Sequence, residues 1–371
     1  MSRCAIPDAA VILSGVEGIG VQSMRALVGR LGLDGVWHAS SAELAAAGLR
    51  PALATELRRL LDDQKRFEEL RETIAAGLEP DGRLVVESDL SRVPGLGALP
   101  DRPLFVAANP RFDPTLGGRP RVAIVGTREP STTGLAVARD LGRELADRGA
   151  LIVSGGADGI DSAAHAGALD ADGATIAVLG SALQQERAGR PKQIAALWQG
   201  AAVITEQLYP WPPQRWMYPR RNRLIAALAE IVIVVEGRQR SGALITARAA
   251  QRLKRPLLAV PGRVDDAVAD GPNALLAEGA RICRHADDAW AALGAAPKSA
   301  APSQQLELAQ PLAPDERALI RLLRSESEAL HVDEIATRLD RTPAAVAATV
   351  LQLELKRRVR CEAGQRIRLL R

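Results

Sequence analysis

The chain has 371 residues, 47% hydrophobic and 25% charged, with a net charge of +4 from 48 basic and 44 acidic residues. That length allows two or three domains, the balance is that of a globular rather than a disordered chain, and no apolar run approaches the length of a membrane span. The three cysteines, Cys4, Cys283 and Cys361, lie far apart without CxxC spacing, which argues against a disulfide framework or a zinc site. The start of the chain has no signal-peptide pattern, so a cytoplasmic location is expected. The basic residues are mostly Arg in an Ala- and Gly-rich chain, as a GC-rich coding bias also produces, so their placement matters more than their number.

Residues 1 to about 100 are Ala/Leu-rich and read as helices. Leu13 to Gly20 (LSGVEGIG) precedes a helix-prone stretch from Val21 to Gly32, a Gly-apolar-Gly turn similar to a helix-hairpin-helix or SAM-like motif. Its glycines would serve equally for a structural hairpin or for backbone approach to a phosphate. Asp62 to Arg66 is a mixed charge run, expected on a solvated face.

The central segment alternates apolar runs with amphipathic stretches. Strands are expected at Arg121 to Gly126, Ala150 to Ser154, Ala174 to Gly180, Ala202 to Thr205, Ile231 to Glu236 and Leu257 to Val260. Apolar runs without alternation are buried on both faces, the mark of a parallel sheet wound with helices. The expected fold class is α/β, an extended Rossmann-like parallel sheet with helices on both faces. Ligands gather at the C-terminal ends of such strands, which here read GTR, SGGADG, EGRQRSG and PGR.

The Gly-rich loops SGGADGID and EGRQRSGALIT precede helices and suit anion binding, or simply tight turns. Neither is a GxGxxG fingerprint nor a GK[ST] P-loop, so no nicotinamide cofactor and no Walker-type hydrolysis is expected. Arg128, Arg220, Arg221, Arg223, Arg238 and Arg240 fall at the same strand ends, suited to phosphates or to salt bridges with Glu206, Glu230 and Glu236. Pro219 predicts a helix beginning near Arg221.

Residues 294–313 are rich in Ala, Pro, Ser and Gln and read as a linker. Residues 314–371 read as three helices, Asp315 to Arg324, Val332 to Leu339 and Thr342 to Arg358, followed by strands at Val359 to Cys361 and Ile367 to Leu370 around Gly364. That order is a winged helix-turn-helix. Its third helix is mainly Ala, Val and Leu until Lys356-Arg357-Arg358, which favours a protein contact or supplementary phosphate binding over sequence-specific duplex reading.

The motifs RVAIVGTREPSTTG (Arg121 to Gly134), VSGGADGIDSAAHAGAL (Val153 to Leu169), TIAVLG (Thr175 to Gly180), YPRRNRLIAAL (Tyr218 to Leu228), VEGRQRSGALITARAA (Val235 to Ala250) and AVPG (Ala259 to Gly262) occur in one order. Together they resemble the bacterial DNA-processing protein A (DprA/Smf) family over about residues 121–285. The resemblance implies a helical domain at 1–100, a Rossmann-like DNA-binding domain at 101–293, the linker at 294–313 and a winged helix at 314–371. It implies a homodimeric, single-stranded DNA-binding recombination mediator that protects incoming DNA in natural transformation and loads the RecA recombinase, without catalytic turnover, metal or cofactor. Carried onto matching positions, DNA contacts are expected from Arg128, Arg220, Arg221, Asn222, Arg223 and Arg240, with Ser154, Gly155, Gly156, Ser241 and Gly242 cradling phosphates. Asp158, Asp161 and His165 read as structural, Asp161 capping a helix and His165 packing within it. The family's Tyr-Pro after the TIAVLG strand is absent; Arg187, Arg190 and Lys192 keep that stretch basic, Arg187 and Lys192 being expected as further DNA contacts, and Trp211 or Trp216 supplies aromatic surface nearby. The competing readings are a phosphoribohydrolase-like enzyme on a related fold and a duplex-binding regulator acting through the winged helix.

Overall fold

The computed structural model describes residues 6–78, 81–212, 214–294, 314–325, 329–355, 359–362, 364 and 366–369. They fall into two compact units divided between Pro297 and Lys298. The stretch read as a linker and the basic Lys356 to Arg358 lie almost wholly outside the described residues.

The first unit is built on a nine-stranded sheet of order β1-β2-β6-β5-β4-β3-β7-β8-β9. The strands are β1 (Arg83–Val86), β2 (Phe105–Ala108), β3 (Arg121–Val125), β4 (Leu151–Gly155), β5 (Thr175–Val178), β6 (Ala202–Thr205), β7 (Ile231–Val234), β8 (Leu257–Ala259) and β9 (Arg281–Ile282). From β6 to β9 every neighbour is parallel, whereas β1 and β2 add an antiparallel edge. The apolar runs became the parallel core because both faces of each strand are covered. Val122 and Ile124 face Leu141 and Leu145 of helix Thr132–Asp147. Ala123 and Val125, pointing the other way, join Leu224 and Leu228 of helix Met217–Leu228. Period-two alternation thus fills two separate cores.

β1, β2 and β9 are departures from the expected strands. RLVV and FVAA are short, and β9 has two exposed residues, so none carries the long apolar signature of a central strand. The helices Asp8–Gly15, Val21–His38, Ser41–Ala46, Pro51–Asp62 and Gln64–Leu78 precede the sheet. Their core is continuous with it: Leu27, Leu57, Phe67 and Ile74 share one cluster with Ala177, Leu179, Leu183 and Val203. The second helix breaks at Gly32, whose φ of 71° lies in the left-handed region.

In the second unit, helices Pro314–Ser325, Val332–Leu339 and Pro343–Leu355 pack with a sheet of order β10-β12-β11, from β10 (Leu330–His331), β11 (Val359–Glu362) and β12 (Arg366–Leu369). Leu319, Leu323, Ile335, Val346, Leu353 and Ile367 form its core. β10 adds a strand to the expected wing. Helix Pro343–Leu355 turns Ala344, Ala345, Ala347, Ala348 and Leu351 to solvent.

Candidate nucleic-acid interface

The winding reverses between β3 and β7: from β3 the chain crosses to β4 on one side, and β7 lies on the other. A crevice opens at the C-terminal ends of strands at such a switch point. Its first wall is the turn Gly126-Thr127-Arg128, pinned to the segment just after β7 by Thr127 N–H donating to the Glu236 carbonyl at 2.8 Å. Gly159, with φ of 83°, lets helix Ile160–Asp170 start against this turn; a side chain there would begin 2.4 Å from the Thr127 carbonyl oxygen. Ser131 caps helix Thr132–Asp147 by accepting from Gly134 N–H at 2.9 Å, while its hydroxyl donates to Glu236 at 2.6 Å and its own N–H to the same carboxylate at 2.9 Å. Ser131→Ala is expected to cost about 1–2 kcal/mol in chemical denaturation, the value of a cap plus a charge-assisted bond.

Arg128 is exposed, with its guanidinium over the Tyr218 ring at 5.2 Å from the centroid, and it makes no ion pair with a described residue. Beside it lie a cavity of about 180 Å³, lined by Gly156, Gly180, Arg190 and Tyr218 among others, and one of about 340 Å³, lined by Thr127, Asn222, Ser241 and Gly242 among others. The two share Arg128, Ala157, Tyr218 and Arg221, and together form one cleft. Helix Gly242–Arg252 begins in this cleft without a side-chain cap. The Ser241 hydroxyl is buried and has no hydrogen-bond partner. Unsatisfied N–H groups at a helix N-terminus, an orphan hydroxyl and a guanidinium without an ion-pair partner are groups that suit an anion.

The cleft floor is a charged core. Arg221 is 7% exposed. It donates to the Val178 carbonyl and to Asn222 Oδ1 at 3.0 Å, and Asn222 in turn donates to the Gly242 carbonyl at 3.0 Å. Asp161, 6% exposed, lies beside the Ser154 hydroxyl and the backbone of Ala157 and Gly126. Burial pushes its carboxyl above the usual carboxylate range, against the pull of Arg221. Both side chains abut Gly155: a Cβ there would sit 2.5 Å from Asp161 Oδ2 and 2.7 Å from Arg221 Nη2. Asp161 is therefore not the helix cap expected from sequence; Gly159 holds the cap position, and Asp161 is the counter-charge beneath the cleft. His165 packs within its helix as expected, its Nδ1 2.7 Å from Thr175 Oγ1.

The structure brings Arg128, Gly156, Arg221, Asn222, Ser241 and Gly242 into the cleft wall. Ser154 and Gly155 lie beneath it, the Ser154 hydroxyl donating to the Ile124 carbonyl at 2.6 Å. Arg240 is exposed one residue before Ser241. Helix Met217–Leu228 starts four positions earlier than expected, with Pro219 inside its first turn, and this phase sends Arg221 inward. Arg223 is held by Asp101 at 2.8 Å and Glu206 at 2.7 Å, and Arg220 also faces Glu206, at 2.9 Å. Arg187 stacks over Trp198 at 4.1 Å, and Lys192 is exposed on helix Pro191–Gly200; neither lines the cleft. Residues Leu183–Gly189 are helical, and Arg190 just after them ties Glu186 to the Gly156 carbonyl. Tyr218 is the cleft residue that the sequence reading left off its contact set. Its signal was an aromatic immediately before Pro219-Arg220-Arg221. Among the described residues no group of His, Cys, Asp and Glu has the make-up of a metal site, and no helix is long and apolar enough to cross a membrane.

Comparison with known proteins places this geometry. The family model for DNA recombination-mediator protein A matches residues 95–294, and that for the DprA winged helix domain matches residues 291–365. The chain is 35% identical to Protein Smf of Escherichia coli over 264 residues, 68% of each chain. It is 39% identical over 169 residues to DNA processing protein DprA of Bacillus subtilis, which covers 45% of this chain and 57% of that one. With the Mycobacterium tuberculosis relative it aligns over 64% of the relative's length, so the matches to these two span under two thirds of either. The solved DprA structure from Streptococcus pneumoniae superposes with a TM-score of 0.59 at 29% identity, covering 77% of this chain and 98% of that one. A Helicobacter pylori DNA processing protein A, solved for its single-stranded DNA binding mode, superposes with a TM-score of 0.51 at 30% identity, covering 58% and 96%. This chain belongs to the DprA/Smf family, with a Rossmann-like domain of the recombination-mediator type followed by a DprA winged helix.

Proposed function

We propose that this chain binds single-stranded DNA along the cleft at the β3/β7 switch point and acts as a recombination mediator, protecting the strand and delivering it to RecA as a homodimer, without catalytic turnover. The observation that carries the reading is the conjunction of an unpaired Arg128 stacked on Tyr218 with the orphan Ser241 hydroxyl at an uncapped helix start. This arrangement accepts a phosphate and offers an aromatic face, the two elements of sequence-tolerant strand binding. Of the carboxylates lining the cleft, Asp161 and Glu186 are committed to internal contacts, with Arg221 and with Ser181 and Arg190, whereas Glu129 and Asp158 are exposed at its rim. The match to the recombination-mediator model supports the RecA step, and the single-stranded DNA binding of the H. pylori relative supports the ligand.

The test is fluorescence anisotropy with labelled poly-dT and matching duplex across a salt series. Wild type is expected to prefer the single strand, with affinity falling steeply as salt rises. Arg128→Ala should weaken binding about 10- to 100-fold, the loss of a charge-assisted phosphate contact, and reduce the salt slope by about one. Its melting temperature should not move, because Arg128 is exposed. No binding by wild type at low salt overturns the reading. RecA delivery is checked by RecA ATPase on DNA already coated with single-strand-binding protein, where adding this chain should shorten the lag.

A further inference from the structure

A separate cavity of about 610 Å³ lies on the other side of the helix that walls the cleft. The first turn of helix Met217–Leu228 divides the two: Tyr218 and Arg221 face the cleft, while Met217 and Arg220 line the larger cavity with Trp216 just before them. Its far wall is the Gly-apolar-Gly turn Val16 to Gly20, the sequence motif that the cleft does not use. Loop Tyr209 to Trp211 is fastened to that wall by Trp211 Nε1 donating to the Ser14 carbonyl at 2.8 Å. The volume falls in the range of sites that take small organic groups; Ile19, Leu104, Leu208, Tyr209 and Met217 give it an apolar side, and Glu17, Glu206, Gln207 and Gln214 a polar one.

The mouth differs from the interior. Trp216 is 44% exposed, unusual for so large an apolar ring, and the Arg220 guanidinium lies 5.9 Å from its centroid. Arg220 meets Glu206 through Nε, and its Nη2 points across the mouth to within 3.9 Å of where a side chain on Gly20 would begin. Glu206 is neutralised by Arg220 and Arg223 together. A cavity with one apolar side, amide and carboxylate groups that can meet base edges, an aromatic lip and a guanidinium at its edge suits a nucleobase and its phosphate. Adjacent residues of one helix turn reach both cavities, so a strand leaving the cleft over Tyr218 arrives at this mouth.

We propose that this cavity receives one unpaired base of the DNA strand held in the cleft, stacked on Trp216 with its phosphate on Arg220. The inference rests on the cleft reading and extends it by a subsite built partly from the N-terminal helices. The test is a poly-dT series in which each oligonucleotide carries one abasic site at a successive position. Wild type should show one position where loss of the base weakens binding about 5- to 100-fold, the worth of one aromatic stack. Trp216→Ala should weaken the intact oligonucleotide similarly and flatten the positional profile. Gly20→Asp offers a second variant: Gly20 is extended and has room for a side chain, so the carboxylate should cap helix Val21–His38 and preserve folding while repelling the phosphate and lowering affinity. A flat wild-type profile, or a position-dependent profile unchanged by Trp216→Ala, overturns the subsite. Arg128→Ala separates the two readings. If it weakens binding while the wild-type profile is flat, the cleft stands and the subsite fails; if it changes nothing, the cleft reading fails and takes this inference with it.

Discussion

Replacing Asp161 with alanine is expected to cost the fold about 3–5 kcal/mol, the penalty for leaving a buried charge without its counter-charge. Arg221 is 7% exposed, and the attraction of Asp161 offsets part of the cost of burying it. Removing the carboxylate also takes an acceptor from the Gly126 N–H, while the Ser154 hydroxyl and the Ala157 N–H keep the Ile124 and Gly155 carbonyls. Chemical denaturation measures the loss directly, and in a thermal scan it should appear as a drop on the order of 10 °C. The double variant Asp161→Ala, Arg221→Leu should recover part of it, since removing both charges is less costly than removing one. A single-variant loss below about 1 kcal/mol would mean that the Val178 carbonyl and Asn222 satisfy Arg221 by themselves.

Acid is expected to destabilise the first unit through His165. Burial, with a smaller push from Arg221, lowers its pKa from 6.5 to about 4. The Thr175 hydroxyl donates to the Ile152 carbonyl at 2.9 Å, so its oxygen accepts from His165, which must carry its proton on Nδ1. The folded state thus binds the second proton more weakly than the unfolded chain. The contribution is complete above pH 6.5 and is lost as the pH falls toward 4, to a maximum of about 3 kcal/mol. Carboxylates titrate in the same window, so the readout is a difference. The stability gap between wild type and His165→Gln in urea titrations should narrow steadily between pH 7 and pH 4. A gap that stays constant would show that His165 binds its proton equally in both states.

The parallel core was legible because β3, β4, β5 and β7 are apolar at nearly every position, which is what two covered faces require. β1 and β2 were not, since RLVV and FVAA are held by pairing with each other and with the edge of β6, information absent from their own composition. At the site, the strand-end rule found the loops of Arg128, Ser154 to Gly156 and Ser241 to Gly242. It could not assign the arginines after Tyr218, whose partners lie far away in sequence: Asp101 and Glu206 for Arg223, and Asp161 for Arg221. Pro219 was read as the residue before a helix, but proline fits the first turn as well. That alternative rotates Arg221 into the floor.

The strand order also sets when the proposed cleft is completed during synthesis. Val122 pairs with Ile231 across the centre of the sheet, and the cleft is completed by Ser241 and Thr246. Contacts so distant in sequence form late. A chain released as far as β5 lacks the β7 partner of β3, and Arg128 has no Ser241 opposite it. The proposed cleft is therefore incomplete until the segment beyond Thr246 has left the exit tunnel. Truncated products ending before that point should neither bind the strand nor compete for it with the finished protein.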